Sequence, residues 1–184
     1  MEPSRTALVL GSAQAASSVT ADVGAVDVVR RRSGGGAVLV EPGAVLWVDV
    51  ILPAGDPLWV DDVGRSSYWL GEVWAAALEA CGVEGSTVHR GPMVRTEWSG
   101  LVCFAGLGPG EVTVGGAKVV GISQRRTRAA ARFQCVVHER WDPEAIVALL
   151  DPAGLPRVPL GEVAAGPGVP LGELADAFVA HLPT

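Results

Sequence analysis

Cysteine is scarce in this chain of 184 residues, lysine occurs once, and no run approaches the roughly 20 consecutive apolar residues that a membrane-spanning helix needs. Three cysteines, an odd and small number, make no disulfide framework and point to a reducing compartment. The opening MEPSRTALVLGSAQ has no long apolar stretch of the kind that directs secretion. The expectation is a soluble, cytoplasmic protein without a membrane partner. Positive charge is also short: Lys+Arg number 14 against 20 Asp+Glu, a net charge of −6 with a pI near 5.0. That balance excludes broad electrostatic binding of nucleic acid. The histidines at 89, 138 and 181 are scattered without metal-ligand spacing, and there is no CxxC, HExxH or GxSxG pattern. Structural zinc and a serine-hydrolase elbow are both disfavoured, and no metal site is expected.

What is present reads as one folded domain over residues 1–184. Hydrophobic residues make up 49% and charged residues 18%, a composition that buries a core. A chain of this length hides roughly 70% of the surface its unfolded form exposes. TALVLGS (6–12), VDVVR (26–30) and ARFQCVVHER (131–140) read as strands, and LVCFAG (101–106) is strand-like. AVLV (37–40), a turn at Glu41-Pro42-Gly43 and AVLWVDVILP (44–53) read as a hairpin. EVTV, Gly115-Gly116 and AKVVGIS form a second hairpin with a two-glycine turn.

Helical spacing of Leu70, Val73, Trp74, Ala77, Leu78 and Cys81 predicts a helix over 66–81, closed by Gly82. Asp142 and Pro143 begin another, with Ile146, Val147, Leu149 and Leu150 inward. Residues 151–170 read as an irregular connector. A terminal helix follows, with Leu171, Leu174, Ala175, Phe178, Val179 and Leu182 on one face. The fold class is α+β, a mostly antiparallel sheet with packed helices.

Three features ask for a chemical explanation. Gly34, Gly35 and Gly36 lie between strands, whereas dinucleotide and phosphate loops need a helix behind their glycines. The run therefore predicts a strand-edge loop under which an elongated ligand lies. The arginines are clustered at 30–32 and at 125, 126, 128 and 132, and would form an anion site if the fold joins them. Lys118, the lone lysine, sits in the apolar run AKVVG and needs a partner if buried. Cys103 and Cys135 lie among apolar neighbours, where packing is the ordinary role. The six tryptophans at 47, 59, 69, 74, 98 and 141 read chiefly as core.

RRRSGGGAVLVEPG (30–43) together with GGAKVVGISQRR (115–126) resembles the catalytic domain of the lipoate-protein ligase A and octanoyltransferase family, related to biotin-protein ligases. The likeness runs roughly from Ala7 to Leu150, leaving 151–184 as connector and terminal helix. It implies that Arg31, Ser33, Gly34, Gly35 and Gly36 line an acyl or acyl-adenylate site and that Lys118 is the essential cation. VCFAGLGPGEVTVGGAKVVG is similar to the octanoyltransferase branch, in which a cysteine followed by phenylalanine accepts the acyl group, and this implies a catalytic Cys103. The implied function is attachment of a lipoyl or octanoyl group to a lysine of a lipoyl-carrier domain. Two routes stay open: transfer from an octanoyl-carrier protein, an acyl carrier protein, through a cysteine thioester, or use of lipoate with Mg-ATP through an acyl-adenylate. The alternative is a degenerate, non-catalytic member that binds an acyl ligand or lipoyl domain. Three departures from the family pattern stand out: Val40-Glu41 replaces His-Asp, Cys135-Val136 replaces His-Gly, and the segment before TALVLGS is expected to be absent or shortened.

Overall fold

Side chains that alternate between two apolar layers along the central strand decide the architecture. In the computed structural model, which describes residues 3–183, strand β4 (Val45–Pro53) pairs antiparallel with β8 (Ala130–His138), and β8 pairs antiparallel with β7 (Ala117–Arg126). The sheet continues through β6 (Val112–Val114) to β5 (Ser86–Val88), giving the order β4-β8-β7-β6-β5. Phe133, Cys135 and Val137 of β8 project to one apolar cluster and Val136 to another, as alternation along a strand requires. Both faces of this sheet are therefore covered.

Helix α1 (Tyr68–Ala80) covers one face with Leu70, Val73, Trp74, Ala77 and Leu78, all buried. Each such side chain contributes about 1.5–3 kcal/mol where it is fully removed from water. Helix α3 (Leu171–Ala180) joins the same layer, with Phe178 stacked on Trp74 at 4.1 Å between ring centroids. Gly82 takes the left-handed conformation, φ 83°, where α1 ends.

The other face carries a three-stranded sheet of order β2-β1-β3, built from β1 (Ala7–Leu10), β2 (Asp27–Arg30) and β3 (Val38–Val40). β1 pairs parallel with β2 and antiparallel with β3. Leu8, Leu10, Val38, Val40 and Ile146 of the short helix α2 (Pro143–Val147) pack here against Val45 and Val136 of the larger sheet. Asp142 caps α2 by accepting from the Ala145 amide at 3.0 Å. The molecule is α+β with mostly antiparallel pairing, as expected.

Several local expectations are corrected. Residues 37–53 do not form a hairpin: the turn at Glu41–Ala44 is present, with Gly43 at φ 73°, but it passes the chain from one sheet to the other. Residues 101–106 are not a strand; Cys103–Ala105 form a single 3-10 turn whose Phe104 and Ala105 enter the core. Helix α2 stops at Val147, so Leu149 and Leu150 lie beyond it, and Val179 of α3 is 66% exposed instead of inward.

Candidate active site

The glycine loop is a clasp built around one side chain. Arg31 is buried, and its guanidinium donates to the carbonyls of Val9 at 3.1 Å, Gly34 at 2.7 Å and Gly36 at 2.8 Å. The loop backbone curls round the cation because these carbonyls need a donor and the cation needs acceptors. Two of the three glycines are demanded by this geometry. Gly35 has φ 95°, and a Cβ on Gly36 would stand 2.6 Å from the Val102 amide nitrogen. The third differs: a Cβ on Gly34 meets nothing within 4 Å. Ser33 is 1% exposed and turned inward, donating to Gln134 Oε1 at 2.7 Å and sharing a 2.9 Å hydrogen bond with Ser123 Oγ.

Behind the loop lies the 3-10 turn of Cys103. Its amide donates to the Ala37 carbonyl at 2.9 Å, while the Ala37 amide donates to Leu101 at 2.7 Å, so the turn is strapped to the loop from both sides. A Cβ on Gly35 would be 3.5 Å from the Cys103 sulfur, which places the thiol directly against the glycine backbone. Cys103 is half-buried. Cys135, facing α1 from the middle of β8, is fully buried, and burial pushes its thiol up to about 12, which leaves it a packing residue.

Lys118 approaches from β7. All three of its protons are used: Nζ lies 2.8 Å from Glu111 Oε2, 3.1 Å from the Cys103 carbonyl and 3.0 Å from the Gly106 carbonyl. Phe104 lies beneath the ammonium, 4.9 Å from Nζ to ring centroid. The Glu111 carboxylate, equally buried, also accepts the Gly108 amide at 2.6 Å and the Ile122 amide at 2.9 Å. Every ionised group here is thus hydrogen-bonded, which a buried pair requires. The connector that follows α2 fixes the strand beneath: Lys118 N donates to Val163 at 3.1 Å and Ala165 N to Lys118 O at 3.0 Å.

Gly34, Gly35, Gly36, Cys103, Lys118 and Ser123, drawn from three separate stretches of chain, line one cavity of about 310 Å³. The profile of the lipoyl protein ligase A/B catalytic domain matches residues 3–165. The chain belongs to that family.

Its relatives include octanoyltransferase LipM of Clostridioides difficile (strain 630), 30% identical over 101 residues, which are 55% of this chain and 36% of LipM. The chain therefore matches little more than a third of that curated relative. Solved structures with the same fold include the bipartite lipoate protein ligase of Thermoplasma acidophilum, described with its E2 lipoyl domain, at TM-score 0.72 and 17% identity, covering 96% of this chain and 66% of that one. Lipoate-protein ligase A bound with ATP gives TM-score 0.71 and 18% identity over 96% of this chain and 67% of that one. LipL1 of P. falciparum, in complex with lipoate, gives 0.63 and 14% over 96% and 46%.

In this lipoyl protein ligase A/B catalytic domain the structure gathers Gly34–Gly36, Cys103 and Lys118 at the cavity and turns Arg31 and Ser33 into the wall behind it. Sequence reading missed Glu111. The signal was available, since a buried lone lysine needs an anion, and Glu111 is the one acid in VCFAGLGPGEVTVGGAKVVG. His138, on the same face of β8 as Val136, packs on Phe104 and Trp141. Burial first, and the Lys118 charge second, push its imidazole down to about 4.

A small void of about 10 Å³, lined by Val38, Trp47, Phe104 and Val136 together with Arg31, Ser123 and Gln134, extends from the Cys103 thiol under the loop. The two arginine clusters do meet, with Arg30, Arg31, Arg32, Arg125 and Arg132 round one hollow. Arg126 is elsewhere, stacked 3.9 Å over the Trp59 ring.

Proposed function

We propose that this protein transfers an octanoyl or lipoyl group to a lysine of a lipoyl-carrier domain, with Cys103 as the acyl-accepting nucleophile. The observation that carries the reading is the convergence of a half-buried thiol, the open backbone face of Gly34 and a lysine on one cavity, in a chain of this family. The Cys103 sulfur, as thiolate, attacks the carbonyl carbon of an acyl thioester. A new C–S bond forms, the donor's C–S bond breaks, and the donor thiol leaves with the proton. The amine of the carrier lysine then attacks the same carbon, an amide forms, and the Cys103 thiol is regenerated.

Lys118 polarises the acyl carbonyl by redirecting one proton from a backbone carbonyl to it. Glu111 keeps the ammonium in place while this happens. The acyl tail runs beneath the loop toward Val38, Trp47 and Val136, which line the void there; admitting it requires these side chains to part. The backbone of Gly34 covers the activated head. The transfer route is supported by the likeness to an octanoyltransferase and by the thiol's position against Gly35.

A second reading, lipoate activation by Mg-ATP, is favoured by the fold shared with a ligase solved with ATP bound. In that route magnesium would offset the charge of the nucleotide's phosphates, and Cys103 would be a packing residue. Intact-mass spectrometry of an apo lipoyl-carrier domain separates the two. The proposal expects a mass gain with octanoyl-carrier protein as donor and none with lipoate plus Mg-ATP. The opposite result supports the ligase, and no gain with either donor removes both.

A further inference from the structure

The arginine hollow has a feature that folding alone does not call for. Arg125 of β7 stands directly opposite Arg132 of β8 in the strand register, and like charges so placed oppose pairing. Arg132 is compensated by Asp49 of β4, 2.5 Å away. Arg30 donates to the carbonyls of Gly11 at 2.8 Å and Gln14 at 2.5 Å, and Arg31 serves the glycine loop. Arg32 and Arg125 are exposed, and among the described residues neither has an ion-pair or hydrogen-bond partner. A hollow of about 520 Å³ with two unengaged guanidiniums thus opens on the surface of a chain whose net charge is −6.

Its position ties it to the active site. Ser33 and Gln134 line the hollow and Ser123 lines the acyl cavity, and Ser33 bonds to both Ser123 and Gln134. One layer of hydrogen-bonded side chains separates the two spaces. Ile51, 65% exposed, forms part of the rim. Exposed arginine beside exposed apolar surface is the composition of a protein interface. A compact phosphate site has instead converging backbone amides.

We propose that this hollow is the docking surface for a carboxylate-rich face of the lipoyl-carrier domain, with Arg32 and Arg125 as its free anchors. The inference rests on the proposed function for the identity of the partner. A carrier held here by its carboxylates presents its acceptor lysine across the Ser33–Ser123 wall, at the mouth of the acyl cavity. Guanidiniums suit this role because they pair with carboxylates in a two-pronged fork.

The test compares the full chain with its Arg32→Glu/Arg125→Glu variant. Three readouts are taken: binding of an apo lipoyl-carrier domain by calorimetry at low and high salt, loading of the protein from a small octanoyl thioester, and unfolding midpoint. The expected result is a Kd for the carrier raised about tenfold or more, with the wild-type salt dependence flattened, and with loading and midpoint unchanged. Equal carrier affinity in variant and wild type overturns the inference and leaves the function standing. So does a variant that loses binding of octanoyl-carrier protein or of inorganic phosphate while keeping the lipoyl-carrier domain. A wild type that does not bind the domain overturns the inference and the proposed function together. Salt-dependent, arginine-dependent binding without any acyl transfer keeps the docking surface and removes the proposed function.

Discussion

The Lys118 ammonium donates to the carbonyl oxygen of Cys103 at 3.1 Å, so the lysine holds the cysteine by its backbone. The same 3-10 turn receives the glycine loop through the Ala37 carbonyl. Loop, cysteine and lysine therefore form one connected unit, closed from below by Glu111. Substitutions in this unit are expected to separate into those that loosen the fold and those that only block the cavity.

The glycines make that separation directly. Gly36→Ala drives a Cβ into the Leu101–Val102 backbone and is expected to lower stability by about 1–3 kcal/mol. Gly34→Ala meets open space and needs no left-handed backbone, so its stability should stay within about 1 kcal/mol of wild type. Acyl transfer should nevertheless fall in Gly34→Ala, because its methyl group enters the ligand's place. Urea unfolding alongside a transfer assay checks both; equal stability losses in the two variants would contradict the assignment.

The buried ion pair predicts a strong non-additivity. Glu111→Gln leaves the Lys118 cation buried without its anion and is expected to cost about 3–5 kcal/mol. Adding Lys118→Met to that variant removes the stranded charge and should recover much of the loss. A double-mutant cycle by chemical unfolding reads the coupling. Additive costs would mean that the pair is not coupled. The doubly substituted protein should have no acyl-transfer activity.

His138 predicts a specific pH dependence. Its imidazole is held at about 4 in the folded chain, against an ordinary value of 6.5. Between these two values the unfolded chain binds a proton that the folded chain does not. Stability is therefore fully present above pH 6.5 and declines as pH falls toward 4, by about 3 kcal/mol in total. Relative to His138→Phe, wild type should lose about 2 kcal/mol between pH 7 and pH 5. A stability difference that does not change with pH would be the contrary result.

The cysteines are expected to differ sharply in reactivity. In a Cys81→Ser background, iodoacetamide should modify Cys103, half-buried at the cavity, and spare Cys135, whose thiol burial pushes up to about 12. Peptide mapping after brief alkylation of the folded protein decides it. Modification of Cys135 at a rate matching Cys103 would contradict the burial seen here.

Local chemistry made part of this structure legible. Gly115 and Gly116 adopt φ 59° and 88°, the turn their sequence demands, and Asp142-Pro143 begins a helix as capping predicts. The segment 37–53 misled because a tight turn says nothing about pairing: β3 finds β1 and β4 finds β8, partners remote in sequence. The segment 101–106 misled for a related reason. Its apolar run is largely buried, yet its pairing with the glycine loop ends at a single parallel bridge, Ala37 to Val102, too short to make a strand.

At the site, the glycine loop, Lys118 and Cys103 were found through the resemblance of two short motifs. Which way Arg31 and Ser33 point was not legible, because it depends on where the loop's own carbonyls turn. Nor was the strap from Val163 and Ala165, since an irregular connector carries no periodic signal of what it packs on. The meeting of the arginine clusters depended on β2 reaching the end of the β7–β8 pair, a fact of topology alone.

The most direct measurement is intact-mass spectrometry of the protein itself after brief exposure to an octanoyl thioester. The account predicts one octanoyl adduct, removed by neutral hydroxylamine, absent from Cys103→Ala, and chased onto an added lipoyl-carrier domain. Undiminished acyl transfer by Cys103→Ala, with no adduct on the wild-type protein, would contradict it.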